Sequence, residues 1–417
     1  MAGEVGEGGG TRDAVRAYDP EASFQLLADP VAQWLDWEEQ ANLVGFRAPS
    51  VPVEVELSSI ARDELEIHVL PGAADEIVSR FLRGDRVLCA RHPLNRDPAV
   101  AWQTTPVAER WSARFTSSRT LAMYGPESGA GLFSLKLATD HPHPDFLQPE
   151  KTKLRSEAMD AVRWAFHLER IDRLLPPLEG ARLIPEILVV LERGGETGFM
   201  VRDLRFFQDG RYTLPALSLP FVGRQIARAG GASFASFWQK HYAEAVGRGK
   251  ARLLLRYGLF FETPNPQNLL VRFDAALRPI PEIVFRDVGD GDCATDANES
   301  PTRPWSRLVS DIRPETKNSF WAFGEAGEHS IDGAILESWY AAHDDAYYGE
   351  LAATLPELAP PPSLDPAARL DHWNRILRTA RGEEIVAAYF DREMARATAE
   401  RAAARPKRSP KPKPRAG

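Results

Sequence analysis

The sequence predicts an α+β fold in which a mixed sheet region comes first and a helical lobe comes last. Three observations predict it. Short apolar runs bounded by Gly, Pro, Asn and Asp are concentrated between about residues 86 and 290. Beyond Pro301 the apolar spacing becomes helical, over 332–355 and 366–400, with a Pro-rich break at 360–366. Strand and helix patterns do not alternate regularly, so parallel crossovers do not dominate.

In chain order, residues 76–83 read as a helix, and "RVLCA" (86–90) as a short strand ending at His92-Pro93. "RTLAMY" (119–124) and "LFSLKLA" (132–138) form a strand pair across "GPESGAG". In the second strand Phe133, Leu135 and Leu137 alternate with Ser134, Lys136 and Ala138, which turns Lys136 away from the apolar side. From Lys151 to Leu175 the spacing is helical, with Ala161, Trp164, Ala165 and Leu168 on one face. "EILVVLER" and "GFMVRDL" make a hairpin around Gly194-Gly195. A long helix over 232–260 and two strands near 268–273 and 282–287 complete the sheet region.

At 417 residues the chain is long enough for two or three domains or one large lobed fold. A hydrophobic content of 43% and a charged content of 26% are those of a soluble globular protein. No apolar stretch approaches 18 residues, so no membrane span is expected. The start, "MAGEVGEGGGTRD", has neither the basic flank nor the apolar core of a signal peptide, and a cytoplasmic location is the expectation. Cys89 and Cys293 alone cannot build a disulfide framework or a zinc cage. The net charge of −8 hides a split: residues 401–417 hold seven Lys or Arg and no acid, while residues 1–400 carry 44 basic against 59 acidic side chains. The Pro-Lys end reads as a disordered basic tail. So acidic a body is not a nucleic-acid surface, and no specific nucleic acid is expected as a partner.

No phosphate-binding glycine motif of the P-loop or dinucleotide type is present, nor a GxSxG elbow or an HExxH zinc helix. "DHPHPD" (140–145) reads as a stiff surface loop, since no other metal ligands cluster with it. What remains is a set of cationic and polar positions at strand ends. Ser117 and Arg119, Lys136 and Arg155 come first, followed by Glu262, Asn265, Gln267, Asn268, Arg286 and Asp287. Lys and Arg neutralise phosphate oxygens, whereas Asn and Asp can hold Mg²⁺, so the set suits a nucleoside triphosphate. Taken singly, each has a plainer reading: Lys136 as a solvated strand residue, Asn268 as a turn former.

The order of these strings resembles that of the NRPS-independent siderophore (NIS) synthetases, the IucA/IucC-like ligases. The strings are "RHPLN" (91–95), "SSRTL" (117–121), "SLKLA" (134–138), "KLRSE" (153–157), "VRDL" (201–204), "FETPNPQNLL" (261–270) and "FRDVG" (285–289). None is specific alone; seven in one order are. The resemblance implies fingers, palm and thumb regions with mixed antiparallel sheets, in a loosely kinase-like arrangement. Their extents would be 1–20 flexible, 21–180 fingers, 181–300 palm, 301–403 helical thumb and 404–417 tail. It also implies that ATP is held by Ser117, Arg119, Thr120, Lys136, Arg155, Gln267, Asn268 and Asp287. Asn268 and Asp287 would carry Mg²⁺, and Arg155, Asn265 and Glu262 would sit at the reacting centre. The family's histidine before Gln-Asn falls on Asn265, and its N-terminal His-Pro-x-His-Pro-x-x-Lys motif is missing.

The activity implied is ATP-dependent adenylation of a small-molecule carboxylate followed by condensation with an amine or alcohol, by a monomer or a homodimer. Two alternatives stay open. The spacing of Asn268 and Asp287 also resembles that of a small-molecule phosphotransferase, although no His-x-Asp precedes the Asn. A nucleotide-binding relic without turnover is the third reading.

Overall fold

A computed structural model describes residues 26–45, 52–95, 105–124, 132–139, 154–261, 264–288, 291–293, 314–376 and 379–404. The expected flexible start (1–20), the "GPESGAG" turn, the "DHPHPD" loop, Glu262 and the tail beyond Ala404 lie outside the described residues.

Among the described residues the chain runs from helix α1 (Pro30–Gly45) into β1 (Val53–Ala61), β2 (Leu65–Val69), α2 (Asp75–Phe81), β3 (Leu82–Arg83) and β4 (Arg86–Ala90). Next come β5 (Thr105–Phe115), β6 (Thr120–Met123), β7 (Phe133–Leu137) and helix α3 (Leu154–Asp172). Strands β8 (Ala181–Ile184), β9 (Glu186–Glu192), β10 (Gly198–Asp203) and β11 (Tyr212–Pro215) follow, then α4 (Leu219–Ala229), α5 (Phe234–Trp238) and α6 (Glu244–Tyr257). The second half holds β12 (Leu259–Phe261), β13 (Leu269–Phe273), β14 (Pro279–Arg286), β15 (Gly291–Cys293), α7 (Gly333–Thr354), α8 (Pro366–Ile376) and α9 (Ala380–Ala404). The expected α+β order, sheets first and helices last, holds.

Nine strands form one antiparallel sheet in the order β2-β9-β10-β7-β6-β5-β1-β4-β3. Its core packs Phe81, Trp111, Phe133 and Phe199 edge-on or tilted, with ring centroids 5.4–5.7 Å apart. The β9–β10 hairpin turns at Gly194, whose φ of +73° suits glycine. A second sheet, β11-β13-β14-β8, is antiparallel except for the parallel β14–β8 pair. Only Pro185 separates β8 from β9, so the chain steps from one sheet into the other within a single residue.

The expected helix over 232–260 is present as one continuous helical run, Phe234 to Tyr257, that changes type midway. A π-helical stretch, Gln239–Ala243, separates α5 from α6, and Gly258 (φ +69°) closes α6 in the left-handed conformation. The face of α3 expected to be apolar is indeed buried: Ala161, Trp164, Ala165 and Leu168 are each under 10% exposed. Helices α6 and α7 cross so closely that a Cβ on Gly247 would lie 2.2 Å from the His343 carbonyl oxygen. Below the junction of the two sheets lies a smaller cluster of Trp34, Leu35, Ile184, Leu204, Leu270 and Val284, which seats α1 under both. No helix among the described residues is long and apolar enough to cross a membrane.

Candidate functional site

Strand register decides which side chains share a face. Lys136 on β7 is opposite Thr120 on β6 and Met200 on β10, and Ser134 is opposite Arg202. With a period of two, Thr120, Ser134, Lys136 and Arg202 therefore project from one face, and Leu121, Leu135 and Val201 from the other. In the second sheet, Leu269 pairs with Phe285, so Asn268 and Asp287 sit at the same end of neighbouring strands. Where the two sheets meet, these ends enclose a polar cleft of about 210 Å³. Ser117, Arg119, Thr120, Lys136, Asn265, Gln267, Asn268 and Asp287 line it, together with Trp34, Thr116, Ser134, Arg202 and Arg286.

The loop between β5 and β6 is held in place by bonds on both sides. The N–H of Leu94 donates to His92 Nδ1 (3.2 Å), so the neutral ring carries its proton on Nε2 and donates to the Ser118 carbonyl (2.9 Å). From the other side Gln267 Nε2 donates to the Thr116 carbonyl (3.0 Å). Asn265 caps the short turn Pro266–Asn268, its Oδ1 accepting from the Gln267 N–H at 2.9 Å. Gln267 and Asn265 thus line the cleft while their side chains also shape it.

Each cation in the cleft is braced by a carboxylate behind it. Arg119 reaches both oxygens of Glu157 at 3.1 Å, and Lys136 Nζ lies 3.2 Å from Glu157 Oε2. Arg202 pairs with Glu186. Arg286 grips Glu38 of α1 with two bonds, 2.5 and 3.0 Å, and donates to the Gln267 carbonyl at 2.7 Å. Trp34 Nε1 donates to the same Glu38 (2.8 Å). Burial pushes Glu38 above the usual carboxylate range, against the pull of Arg286 and Trp34.

Asp287 faces this group from the opposite wall. It ends β14 in the left-handed region, φ +65°, which Asp adopts more readily than most residues. Its oxygens lie 2.9 and 3.1 Å from Lys136 Nζ, and one lies 3.5 Å from Arg202. Burial alone would raise its pKa; Lys136, Arg202 and Arg119 outweigh it and hold the carboxyl well below the usual range.

Two expectations need correction. Arg155 does not line the cleft. Its guanidinium binds Glu66 (2.6 Å) and the carbonyls of Gly195 (2.9 Å) and Glu192 (3.2 Å), at the far end of the β9–β10 hairpin. Residues two apart on a helix point about 200° away from each other, so α3 cannot aim both Arg155 and Glu157 inward. It aims Glu157. The reading of Lys136 as solvated also fails, since the residue is 9% exposed. Arg202, Glu157, Glu38 and Glu186 went unnamed in the sequence. Arg202 and Glu157 stand inside the quoted strings "VRDL" and "KLRSE", but their direction depends on register and helix phase.

Among the described residues that line the cleft, Asn268 and Asp287 carry side-chain oxygens of the kind a metal takes. Among the described residues no group of three or more His, Cys, Asp or Glu gathers as a metal cage. Two such groups do not make a protein cage; a cation held here would have to take most of its ligands from elsewhere, as Mg²⁺ does from phosphate and water.

No protein-family model matches the chain, and no curated protein does. The fold itself is of a known kind, one seen in solved NIS synthetases. ATP-bound aerobactin synthetase IucA from a hypervirulent Klebsiella pneumoniae superposes with a TM-score of 0.52 at 14% identity, over 74% of this chain and 65% of that one. Aerobactin synthetase IucC of the same pathotype gives 0.49 at 14% identity, over 78% and 65%. Petrobactin biosynthesis protein AsbB of Bacillus anthracis gives 0.46 at 13% identity, over 82% and 63%. The chain spans less than two thirds of the length of each of these synthetases.

Proposed function

We propose that the protein is an ATP-dependent ligase that adenylates a small-molecule carboxylate and passes the acyl group to an amine or alcohol. The observation that carries this is the cationic face of Arg119, Lys136 and Arg202 opposite Asn268 and Asp287 in one cleft. In such a reaction a carboxylate oxygen attacks the α-phosphorus, the α–β phosphoanhydride bond breaks, and pyrophosphate leaves. Arg119, Lys136 and Arg202 lie where they would balance the charge that gathers on the departing pyrophosphate. Their bracing carboxylates fix them before the ligand arrives, so little reorganisation is needed. Ser117 and Thr120 add hydroxyl donors, and the His92 and Gln267 bonds hold the loop that carries Ser117 and Arg119. Asn268 and Asp287 would hold Mg²⁺, which would supply charge withdrawal from the phosphates.

A second reading rests on a specific contact. Lys136, on a strand, pairs with Glu157 on the helix that follows, the kind of strand-to-helix ion pair on which protein kinases depend. Incubation with ATP, Mg²⁺ and panels of carboxylates and amines separates the two. AMP and pyrophosphate support the ligase, ADP supports a phosphotransferase, and absence of both with every substrate refutes turnover at this site. Small carboxylates and amines are the partners proposed, and a homodimer is the assembly to test by light scattering.

A further inference from the structure

Asp287 occupies the place an anionic ligand needs. Its two oxygens are on Lys136 Nζ at 2.9 and 3.1 Å, and one is 3.5 Å from Arg202, the distances phosphate oxygens would take. Asp287 takes φ +65° at the strand end, and its carboxylate reaches across the cleft to Lys136. Formal charges among the described residues then cancel. Arg119, Lys136, Arg202 and Arg286 stand against Glu38, Glu157, Glu186 and Asp287. Among the described residues, a cleft rich in cations is thus close to neutral, and Asp287, the carboxylate on its inner wall, repels any anion approaching the same cations.

We propose that Asp287 is a specificity-determining residue that holds the phosphate seat and shuts out polyanions arriving without a divalent cation. The inference rests on the nucleotide-site reading above. A bare polyphosphate would have to take Lys136 and Arg202 from Asp287 and then lie beside its carboxylate, two like charges a few ångströms apart in a partly buried site. A divalent cation shared between that carboxylate and the phosphate turns the repulsion into joint ligation. Asp287 therefore discriminates between two forms of one ligand. Neutralising it removes the discrimination.

The test measures equilibrium binding of ATP, and separately of inorganic pyrophosphate, by calorimetry at constant ionic strength, in EDTA and in excess Mg²⁺. Wild type and Asp287→Asn are compared; Asn keeps the shape and tolerates the left-handed backbone. Asp287→Gly, which also accepts that φ, replaces it if the first variant fails to fold. Wild-type affinity is expected to rise at least 30-fold from EDTA to Mg²⁺. In EDTA the variant should bind at least tenfold tighter than wild type, with Mg²⁺ adding less than threefold. Equal wild-type affinity in EDTA and Mg²⁺, or a variant no tighter than wild type in EDTA, overturns the assignment and leaves the ATP site standing. If neither protein binds ATP or pyrophosphate with Mg²⁺, the nucleotide site itself falls, and this inference with it.

Discussion

Replacing Arg286 by Met tests how the floor of the cleft is held. Glu38 is fully buried and Arg286 6% exposed, so neither charge has water to fall back on. Among the described residues the variant leaves Glu38 with the Trp34 N–H as its hydrogen-bond donor and takes a donor from the Gln267 carbonyl. Removing one partner of a buried pair costs about 3–5 kcal/mol, because the other charge stays behind unpaired. For a chain of 417 residues the loss corresponds to a fall in melting temperature of roughly 3–6 °C. Replacing both partners, Glu38→Leu with Arg286→Met, should recover most of it, since apolar replacement of a buried pair is often neutral. Acid should help the single variant. The folded pKa of Glu38 lies above its ordinary value, so its penalty is absent below that value and grows as pH rises. Thermal unfolding of both single variants and the double at pH 4.5 and pH 7.5 supplies the cycle. A loss under about 1 kcal/mol for Arg286→Met at pH 7.5, or a double variant no more stable than the single, refutes the reasoning.

Three further outcomes follow from the same geometry. Arg155→Ala should change ATP affinity less than twofold, while Glu157→Ala, which releases Arg119 and Lys136, should weaken it at least tenfold; calorimetry giving the reverse order would restore Arg155 to the site. Burial, with Lys250 nearby, lowers the pKa of His343 to about 4, so the unfolded chain takes up a proton between pH 6.5 and 4 that the folded one refuses. Stability should therefore fall through that window by up to about 3 kcal/mol from this residue, and His343→Gln should flatten the curve. Burial pushes the Cys89 thiol up to about 12, so a thiol reagent at pH 8 should label it only after unfolding, as peptide mapping would show.

Local pattern carried much of the fold. The β6–β7 and β9–β10 pairs and the β13–β14 pair each consist of two alternating or apolar runs with a short gap, and period-two logic finds these. Helix α3 was legible because its buried stripe repeats at three and four residues. Pairings distant in sequence were not. Strand β7 lies beside β10 and β1 beside β5 through contacts that no local window contains, and the parallel β8 is only four residues long. Long β5, "TPVAERWSARF", hides its alternation because its first half is exposed or half-buried on both faces. In the site, Lys136, Asn268 and Asp287 could be named from sequence because they stand at strand ends. The choice of Glu157 over Arg155 depended on the rotational phase of one helix, and Arg202 on a register between two strands.

The single-residue link at Pro185 has a mechanical consequence. Lys136 and Arg202 stand on one sheet and Arg286, Asn268 and Asp287 at the end of the other, yet β8 and β9 make those sheets one continuous ribbon. A flexible connector would let the two walls swing apart and close on a guest. A proline with fixed φ, between two paired strands, gives no such play. The cleft is a fixed-gauge socket: a guest must already have the right width and charge, and differences in binding among variants should arise from fit more than from closing motion.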